Sequence, residues 1–471
     1  MRAVARHCLT KASVPFVLLL PACGGGGYGG NSSAGYMPPA PAAPAASFSQ
    51  PAQAMTIHLG QSFTLAWSAS NATACTGSVS GTGGGSFAGT LAMSGTQSIA
   101  PTAPGTYSYS LECTGSGGMS GAKSMTVSVS ASILSGLSVI TTIGPTPDPA
   151  EKGGNPYGLA IAPASEGLIT KGDLIVCNFN DGATNTQGAG TTITGLHPTA
   201  GAQPYVIANS ASLKGCNALA LLPDDSIAAA AYTASLNPLV TAGGTVNNPF
   251  ASHSFAAPWG EAYVAAANGQ PAALYVSNAG DGSIERITLD GDAPADFTEV
   301  IKGFCVSGAP GAIFAPAGLT YDASIDTLYV VDSSSYSVVA FKGISAFTTD
   351  AVVVNGNCTP STPTPALTFG GASAASAKVI AAGGQFNAPL SAALLSDGDL
   401  LVANADINNP AVPNLVFEVS PAISFVGTPL QLDTSGTAGA LFGLAARVDD
   451  QGRDVVFFND DNTNTVNMLS Q

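Results

Sequence analysis

The chain has 471 residues, of which only 9% are charged, against about 25% in an average domain. Its 56 Gly and 32 Pro separate short β-branched runs, without helix-period stripes, which favours an all-β protein with more than one domain. The net charge of −16 and the lack of a basic patch argue against nucleic acid as a partner, because such a surface repels phosphate.

Residues 1–22 are typical of a cleaved signal peptide. Basic residues come first, and the apolar segment 12–20 is too short to cross a hydrocarbon core of about 30 Å as a helix. The run LPAC at 20–23 resembles a bacterial lipobox, which implies that Cys23 carries acyl chains such as palmitate. We therefore expect a protein anchored through lipid to the bacterial outer membrane or cell surface, with ordinary secretion as the alternative.

The next two segments predict a linker followed by a small domain. Residues 23–50 are rich in Gly and then in Pro and Ala, which is typical of an extended linker. In 51–131 short alternating segments such as FTLAWSAS and KSMTVSVS lie between turns, so we expect a β-sandwich, with Cys75 and Cys113 in a disulfide. This segment resembles the Ig-like domains of bacterial surface proteins, which implies a spacer or an adhesion module.

Residues 136–471 contain a unit that recurs six times. Each unit begins with a strand whose fourth residue is small, and a second strand follows it. The small residues are Gly158, Ala218, Gly260, Gly318, Ser391 and Gly443. Third strands follow in most units, and EVIKGF and AVVVNG are candidate fourth strands. The pattern predicts a six-bladed β-propeller in which the N-terminal strand LSVITTI completes the last blade beside the C-terminal NTVNMLSQ.

The motifs LYVSNAGDGSIERITLDG and LYVVDSSSYSVVAF resemble NHL repeats. Some NHL-like propellers are metal-dependent lyases or lactonases, so the resemblance makes such an activity a candidate. A zinc site with three imidazoles is excluded in this domain, because it contains only His197 and His253. A Ca²⁺ site built from carboxylates and amides remains open, and no other cofactor is expected.

In a propeller, the residues before each first strand and after each second strand share one end of the central channel. Aromatic, amide and carboxylate side chains there predict a face for a small molecule, glycan or protein ligand. The competing interpretation is that Asn and Asp cap strand ends in Asx-turns. The residues of this predicted ligand face are Tyr157, Asn178, Trp259, Asn278, Asp332, Asn404, Phe442 and Asn459.

The four cysteines of the propeller are expected to form disulfides, since the compartment is oxidising. Four cysteines permit three pairings, and we favour Cys177–Cys216 and Cys305–Cys358, which join neighbouring blades.

The leading hypothesis is a membrane-anchored, extracytoplasmic binding or interaction protein, because a clear scaffold lacks a clear catalytic motif. The alternatives are a Ca²⁺-dependent lactonase or lyase, and a purely structural envelope protein.

Overall fold

The computed structural model describes most of the chain beyond its N-terminal segment. The described residues are 38–471, except 60, 151, 268, 291–292, 308–313, 357–366, 385, 405–413, 423 and 435–437. The predicted signal peptide and Cys23 lie outside them. In this described part, no helix has the length and apolar character needed to span a membrane.

In the described residues, nine strands form the N-terminal domain. They are β1 (Ala45–Gln50), β2 (Met55–His58), β3 (Phe63–Ser70), β4 (Ala74–Val79), β5 (Gly89–Leu91), β6 (Ser94–Ile99), β7 (Gly105–Gly115), β8 (Gly118–Met119) and β9 (Lys123–Ser130). One sheet has the order β1-β3-β6, and the other has the order β2-β9-β7-β4-β5, with β8 beside β7. The two sheets enclose a common core, and the Ig-like resemblance stays a prediction.

Aromatic rings fill the core between these two sheets. Tyr109 of β7 lies edge-on to Phe63 of β3, with ring centroids 5.3 Å apart. Cys75 of β4 and Cys113 of β7 are opposite each other in the register and form the predicted disulfide, with their Cα atoms 4.0 Å apart. The bond therefore joins adjacent strands of one sheet and stabilises the domain by restricting the unfolded chain.

The boundary of the predicted linker was wrong at its C-terminal end. The last six residues of 23–50 form β1, which pairs antiparallel with β3. Ala46 is buried, and the ring of Phe48 lies 6.0 Å from that of Phe87. These two inward-facing side chains are enough to hold the short segment in the sheet. In the sequence they do not stand out from the Pro/Ala-rich residues before them.

Six sheets of the described chain are the blades of a propeller, as predicted. The first two blades contain β11 (Gly154–Ile161), β12 (Leu174–Asn180), β13 (Thr192–Leu196), β14 (Tyr205–Asn209), β15 (Cys216–Leu221), β16 (Ile227–Ala231), β17 (Leu239–Val240) and β18 (Val246–Asn247). They follow β10 (Val139–Pro145), which belongs to the last blade. Strands β17 and β18 are short, with two residues each.

The third and fourth blades are interleaved in sequence. Their strands are β19 (Pro258–Val264), β20 (Ala273–Asn278), β21 (Ser283–Asp290), β22 (Ala293–Lys302), β23 (Pro316–Asp322), β24 (Thr327–Asp332), β25 (Ser337–Lys342), β26 (Val352–Asn355), β27 (Thr368–Gly370) and β28 (Ala377–Ala382). The third blade has the order β19-β20-β21-β22-β26-β27, and the fourth has the order β23-β24-β25-β28.

The predicted fourth strand AVVVNG was assigned to the wrong blade. It forms β26, which runs parallel to β22 and extends the third blade outward. The fourth blade is completed by β28, whose Ala382 pairs with Ser337 of β25. Its hydrophobic side chains pack with Phe341 and Phe347 in the core shared by these blades, where Val352 is fully buried. EVIKGF does form an outer strand, within β22.

The last two blades close the ring. They contain β29 (Pro389–Leu394), β30 (Leu400–Asn404), β31 (Leu415–Ser420), β32 (Phe425–Val426), β33 (Leu430–Gln431), β34 (Leu444–Val448), β35 (Asp454–Asp460) and β36 (Thr465–Ser470). Strand β10 pairs antiparallel with β36, from Val139 opposite Ser470 to Pro145 opposite Thr465. The predicted closure by strands from both ends of the domain is confirmed, and it removes two exposed sheet edges.

The short connection between the two domains is fixed on the propeller. It contains a 3₁₀ helix, Leu134–Gly136, and Leu134 and Leu137 are buried against the last two blades. The carboxylate of Glu418 on β31 accepts hydrogen bonds from the backbone N of Leu134 at 2.6 Å and of Ile133 at 3.2 Å. A buried carboxylate needs such donors. This contact therefore fixes the position at which the connection enters the propeller. The described part of the chain also contains the 3₁₀ helices Ala211–Leu213, Ile344–Ala346 and Ala374–Ser376.

The small residue of each first strand lies where adjacent blades meet. A Cβ on Gly318 would come within 2.6 Å of the Leu390 carbonyl oxygen on the next blade. A Cβ on Gly443 would come within 2.4 Å of the Tyr157 carbonyl oxygen, across the junction that closes the ring. The first strands contact one another in sequence, and β34 contacts β11. The predicted crowding around the axis is therefore confirmed, and its cause is the backbone of the next blade.

Candidate functional site

Five aromatic residues meet at one end of the central channel, which we call the mouth. First strands begin and second strands end there, so residues from different blades converge. We call this group the aromatic plug; its members are Tyr157 on β11, Phe179 on β12, Tyr232 after β16, Trp259 on β19 and Phe442 before β34.

The plug is organised around a stack of three rings. Tyr157 lies between Phe442 and Phe179, with ring centroids 3.8 and 4.2 Å away and interplanar angles of 18° and 7°. Trp259 contacts the stack at 5.9 Å from Tyr157 and meets Tyr232 edge-on at 5.5 Å. Offset and edge-on contacts of this kind stabilise aromatic clusters beyond the effect of burial. The mouth is therefore closed by rings that hold one another in place.

Only part of the plug is accessible. Tyr157 and Trp259 are 3% and 5% exposed, whereas Tyr232 and Phe442 are only partly buried. Burial and the nearby carboxylate of Asp461 raise the pKa of Tyr157 well above its usual range, so its hydroxyl stays protonated. A ligand at the mouth would meet Tyr232 and Phe442 first, while Tyr157 and Trp259 support them from below.

A carboxylate lies beside the stack, in the loop after β35. Asp461 is partly buried. When the Asn155 amide is oriented so that both side chains are satisfied, its nitrogen donates to the two carboxylate oxygens of Asp461 at 2.9 and 2.8 Å. Burial and then the neighbouring Asp460 raise the pKa of Asp461. The mouth thus combines apolar ring surface with a polar group that can accept hydrogen bonds.

Beneath the plug, the channel contains a cavity of about 90 Å³. First strands of all six blades line it, and Glu261 is the only carboxylate among the described residues that do so. Glu261 is 6% exposed, and its Oε1 accepts a hydrogen bond of 2.7 Å from the amide of Asn237. Burial raises the pKa of Glu261 to about 8, and the bonds from Asn237 and the Ala230 backbone oppose the shift. This acid was not identified in the sequence.

Two asparagines of the predicted ligand face are buried inside the fold. Asn459 donates from Nδ2 to the carbonyl oxygens of Tyr157 and Gly158, both at 3.2 Å, and so joins the last blade to the first. Asn178 donates to the Thr146 carbonyl oxygen and to Thr194 Oγ1, each at 3.2 Å. Both side chains are fully buried, so their amides contribute to blade packing.

The other three polar residues of the predicted face are also buried. Asp332 Oδ1 accepts from the backbone N of Ser334 at 3.0 Å, which is an Asx-turn. Asn278 donates to Ser283 Oγ at 3.1 Å, and Asn404 Oδ1 accepts from the backbone N of residue 387 at 3.1 Å. The structure therefore brings Tyr157, Trp259 and Phe442 together at the mouth and places the five polar side chains within strand-end hydrogen bonds.

The sequence interpretation overlooked two members of the plug. Phe179 directly follows Asn178 in the segment DLIVCNF, and Tyr232 ends the segment SIAAAAY. The signal was an aromatic residue at the end of a second strand. Asn and Asp at the ends of most second strands obscured this signal.

The predicted disulfide Cys177–Cys216 is present and joins β12 to β15, hence the first blade to the second, with Cα atoms 5.2 Å apart. Cys305 is also disulfide-bonded. Cys358 lies outside the described residues, so the pairing Cys305–Cys358 stays a prediction.

One cluster of three carboxylates occurs in the described residues, and it is remote from the mouth. Asp397 and Asp399 lie in the turn before β30, at the opposite end of the fifth blade, and Glu418 is beside them. Because Glu418 already accepts the bonds from the interdomain connection, part of this cluster serves a structural role.

No family model and no curated protein matches this chain. Its solved structural neighbours are β-propeller proteins. A virginiamycin B lyase from Staphylococcus aureus is 13% identical over 71% of this chain and 99% of its own, with a TM-score of 0.40. A gluconolactonase from Xanthomonas campestris is 12% identical over 71% and 98%, with a TM-score of 0.43. An auxiliary nutrient binding protein from Bacteroides ovatus is 13% identical over 88% and 95%, with a TM-score of 0.36.

Proposed function

We propose that this protein is a lipid-anchored binding protein of the bacterial cell envelope, and that its ligand is a glycan bound at the propeller mouth. The observation that carries this proposal is the aromatic plug, in which Tyr232 and Phe442 are accessible and the buried Tyr157 lies near the partly buried Asp461. A sugar ring has apolar C–H faces and polar hydroxyl edges. It therefore complements a site that offers aromatic surface together with carboxylate and amide groups.

The rigidity of the plug supports recognition without a large entropic cost. Tyr157 is clamped between two rings, and Trp259 is almost completely buried, so neither has to be ordered when a ligand arrives. Preorganised aromatic anchors bind more tightly than mobile ones because less side-chain freedom is lost. A free small molecule or a protein loop with similar chemistry would be bound by the same surface.

Removing either accessible ring is expected to weaken glycan binding. We expect Phe442→Ala and Tyr232→Ala each to lower affinity by about tenfold or more, since each variant deletes ring surface without removing the buried support. Screening on a glycan array followed by calorimetry of the full chain measures the loss. Asp461→Asn should have a smaller effect, because the amide keeps one acceptor oxygen.

Phe369→Ala is the matched control. Phe369 is a partly buried ring on β27, at the outer edge of the third blade, and its loss should leave affinity unchanged. Equal affinities of wild type and both mouth variants would contradict the proposal. Calcium-dependent turnover in a lactone and ester panel, lost in Asn278→Ala or Asn404→Ala, would favour the lactonase or lyase alternative. A lack of any ligand would favour a structural role in the envelope.

The lipid anchor has its own test. We expect Cys23→Ser to release the protein from the membrane fraction, because a thioether to diacylglycerol requires the cysteine sulfur. Immunoblotting of membrane and soluble fractions measures the shift, and mass spectrometry of the N-terminal peptide identifies the acyl chains. Continued membrane retention of the variant would contradict lipidation at this residue, while leaving the proposed glycan site unaffected.

A further inference from the structure

A second cavity lies between the fourth and fifth blades, at the end of the propeller opposite the mouth. Its volume is about 550 Å³, within the usual range of small-molecule sites. One wall is the face of the fourth blade formed by β24, β25 and β28. The other wall is the turn before β30 together with residues after β31. We call it the interblade pocket.

The centre of the interblade pocket is apolar. Tyr329, Ala340 and Ile380 come from three adjacent strands, and Tyr329 pairs with Ala340 in the register. Ile325, at the edge, is 47% exposed, although large aliphatic side chains are usually covered. A ligand with an apolar body would cover this surface and gain from its removal from water.

A phenol is directed into this apolar surface. Tyr329 lines the pocket and is only 1% exposed. Burial, followed by the charges of Asp322 and Asp399, raises the pKa of Tyr329 to about 12, so the hydroxyl remains protonated. A protonated phenol can donate a hydrogen bond, so a polar atom of a ligand in the pocket would accept one from Tyr329.

Opposite charges face each other across the pocket without pairing. Lys342 and Lys378 are exposed on the wall of the fourth blade, and Asp397 is exposed on the wall of the fifth. No ion pair joins these three groups to one another in the described part of the chain. Asp399, beside Asp397, is 5% exposed and adds to the acidic wall. The exposed charges are therefore two lysines on one wall, where Asp322 is buried beneath them, and a carboxylate on the other.

We propose that the interblade pocket binds a short zwitterionic peptide with apolar side chains. Its ammonium group would contact the acidic wall at Asp397, and its carboxylate would contact Lys342 and Lys378. Its side chains would cover Ile325 and Ile380, and a peptide carbonyl oxygen would accept a hydrogen bond from Tyr329. A molecule with both charges satisfies both walls, whereas a simple amine or a simple acid leaves one wall unpaired.

This site is independent of the glycan site in the Proposed function. The mouth is formed where second strands end, and the interblade pocket is formed where they begin. Failure of glycan binding therefore has no bearing on peptide binding, and the two can be measured separately on the same protein.

Calorimetry of the full chain with the tripeptide Leu-Ala-Leu tests the proposal. We expect saturable one-to-one binding with the free peptide. Acetylation of the N-terminus and amidation of the C-terminus should each reduce affinity about tenfold, because each removes one charge from the ligand. Asp397→Asn should reproduce the effect of acetylation, and the double variant K342M/K378M should reproduce that of amidation. Tyr329→Phe should weaken all peptides while keeping the preference for the free zwitterion.

Two surface variants elsewhere provide matched controls. Lys171→Met and Asp290→Asn remove one charge of each sign from exposed sites away from the pocket, and both should bind like the wild type. A tripeptide that does not bind, or that binds equally well in free and doubly blocked forms, would overturn the proposal. Sensitivity to acetylation alone would also overturn it, because the pocket would then select an amine rather than a zwitterion.

Discussion

Replacing Gly260 with alanine is expected to destabilise the propeller by about 3 kcal/mol, at the upper end of the usual effect of overpacking. A Cβ at this position would lie 2.0 Å from the Ala317 carbonyl oxygen and 2.9 Å from Ser277 Oγ. Ser277 accepts a bond from the Gly260 backbone N and donates to the Ala317 carbonyl oxygen, both at 2.7 Å. The added methyl group would therefore separate two first strands and break a buried hydrogen-bond bridge. Chemical unfolding followed by circular dichroism measures the loss.

Gly243→Ala is the control for this substitution. The same methyl group would have Thr241 Oγ1, at 3.8 Å, as its nearest neighbour, so we expect a change of less than about 0.5 kcal/mol. If both variants lost similar stability, crowding at the axis would not explain the loss, because Gly→Ala at an unstrained and uncrowded position normally costs no stability.

The small residue in each repeat also explains why the architecture was predictable from sequence. Only a glycine or a similarly small side chain fits where the backbone of the next blade approaches, so the constraint recurs in every unit. Ring closure could be predicted because the last repeat showed only three strands in the sequence. The segment that forms β10 was a strand left over before the first repeat, and it could supply the fourth. Both predictions depend on the spacing of small residues and strands, which can be read directly from the sequence.

The assignment of outer strands was less predictable. The segment that became β26 had the same composition as a fourth strand, and nothing local distinguished β22 from β25 as its partner. Its position was decided by packing over Phe341 and by the additional strand β27, which pairs with it. Strand pairing between distant segments is set by tertiary contacts more than by strand propensity.

The candidate site was predicted in part for a similar reason. Sequence position placed Tyr157, Trp259 and Phe442 at the mouth, and the structure brings them together. Position did not determine the direction of the polar side chains. Asn459 turns toward the backbone of the first blade, because a buried amide there satisfies carbonyl groups that the strand ladder leaves unpaired. The number of polar residues near a channel therefore overstates the polarity of its lining.

Glu261 is a clear departure from the repeat. The residue after the small position is apolar in the other five blades: Leu159, Leu219, Leu319, Ala392 and Leu444. In the third blade it is a carboxyl group, which is held by Asn237 and lies beside the channel cavity. Among the described residues its Oε2 has no hydrogen-bond partner, so the charged form would be poorly compensated in this environment. We therefore expect the folded protein to hold Glu261 as a neutral acid at neutral pH.

Glu261→Gln is expected to stabilise the protein at pH 8 and to have little effect at pH 4. Because burial raises the pKa of Glu261 from 4.5 to about 8, the folded state keeps a proton that the unfolded state has released. The wild type thus loses stability as pH rises from 4.5 to 8, by about 1.4 kcal/mol per pH unit and roughly 5 kcal/mol in total. Glutamine is neutral throughout and keeps an acceptor for Asn237, so it removes this contribution. Urea unfolding at several pH values measures the difference.

The difference between wild type and variant isolates Glu261 from other acids whose pKa is raised, such as Asp399 and Asp461. Glu166→Gln makes the same chemical change at an exposed site and should leave the pH profile parallel to that of the wild type. Glu261→Leu restores the residue of the other blades and should also flatten the profile, but it leaves the Asn237 amide unpaired and so gains less stability. If the free energy of unfolding of Glu261→Gln fell with pH as steeply as that of the wild type, the Glu261 carboxylate would be ionised in the folded wild type. The channel wall would then be more polar than its lining residues indicate.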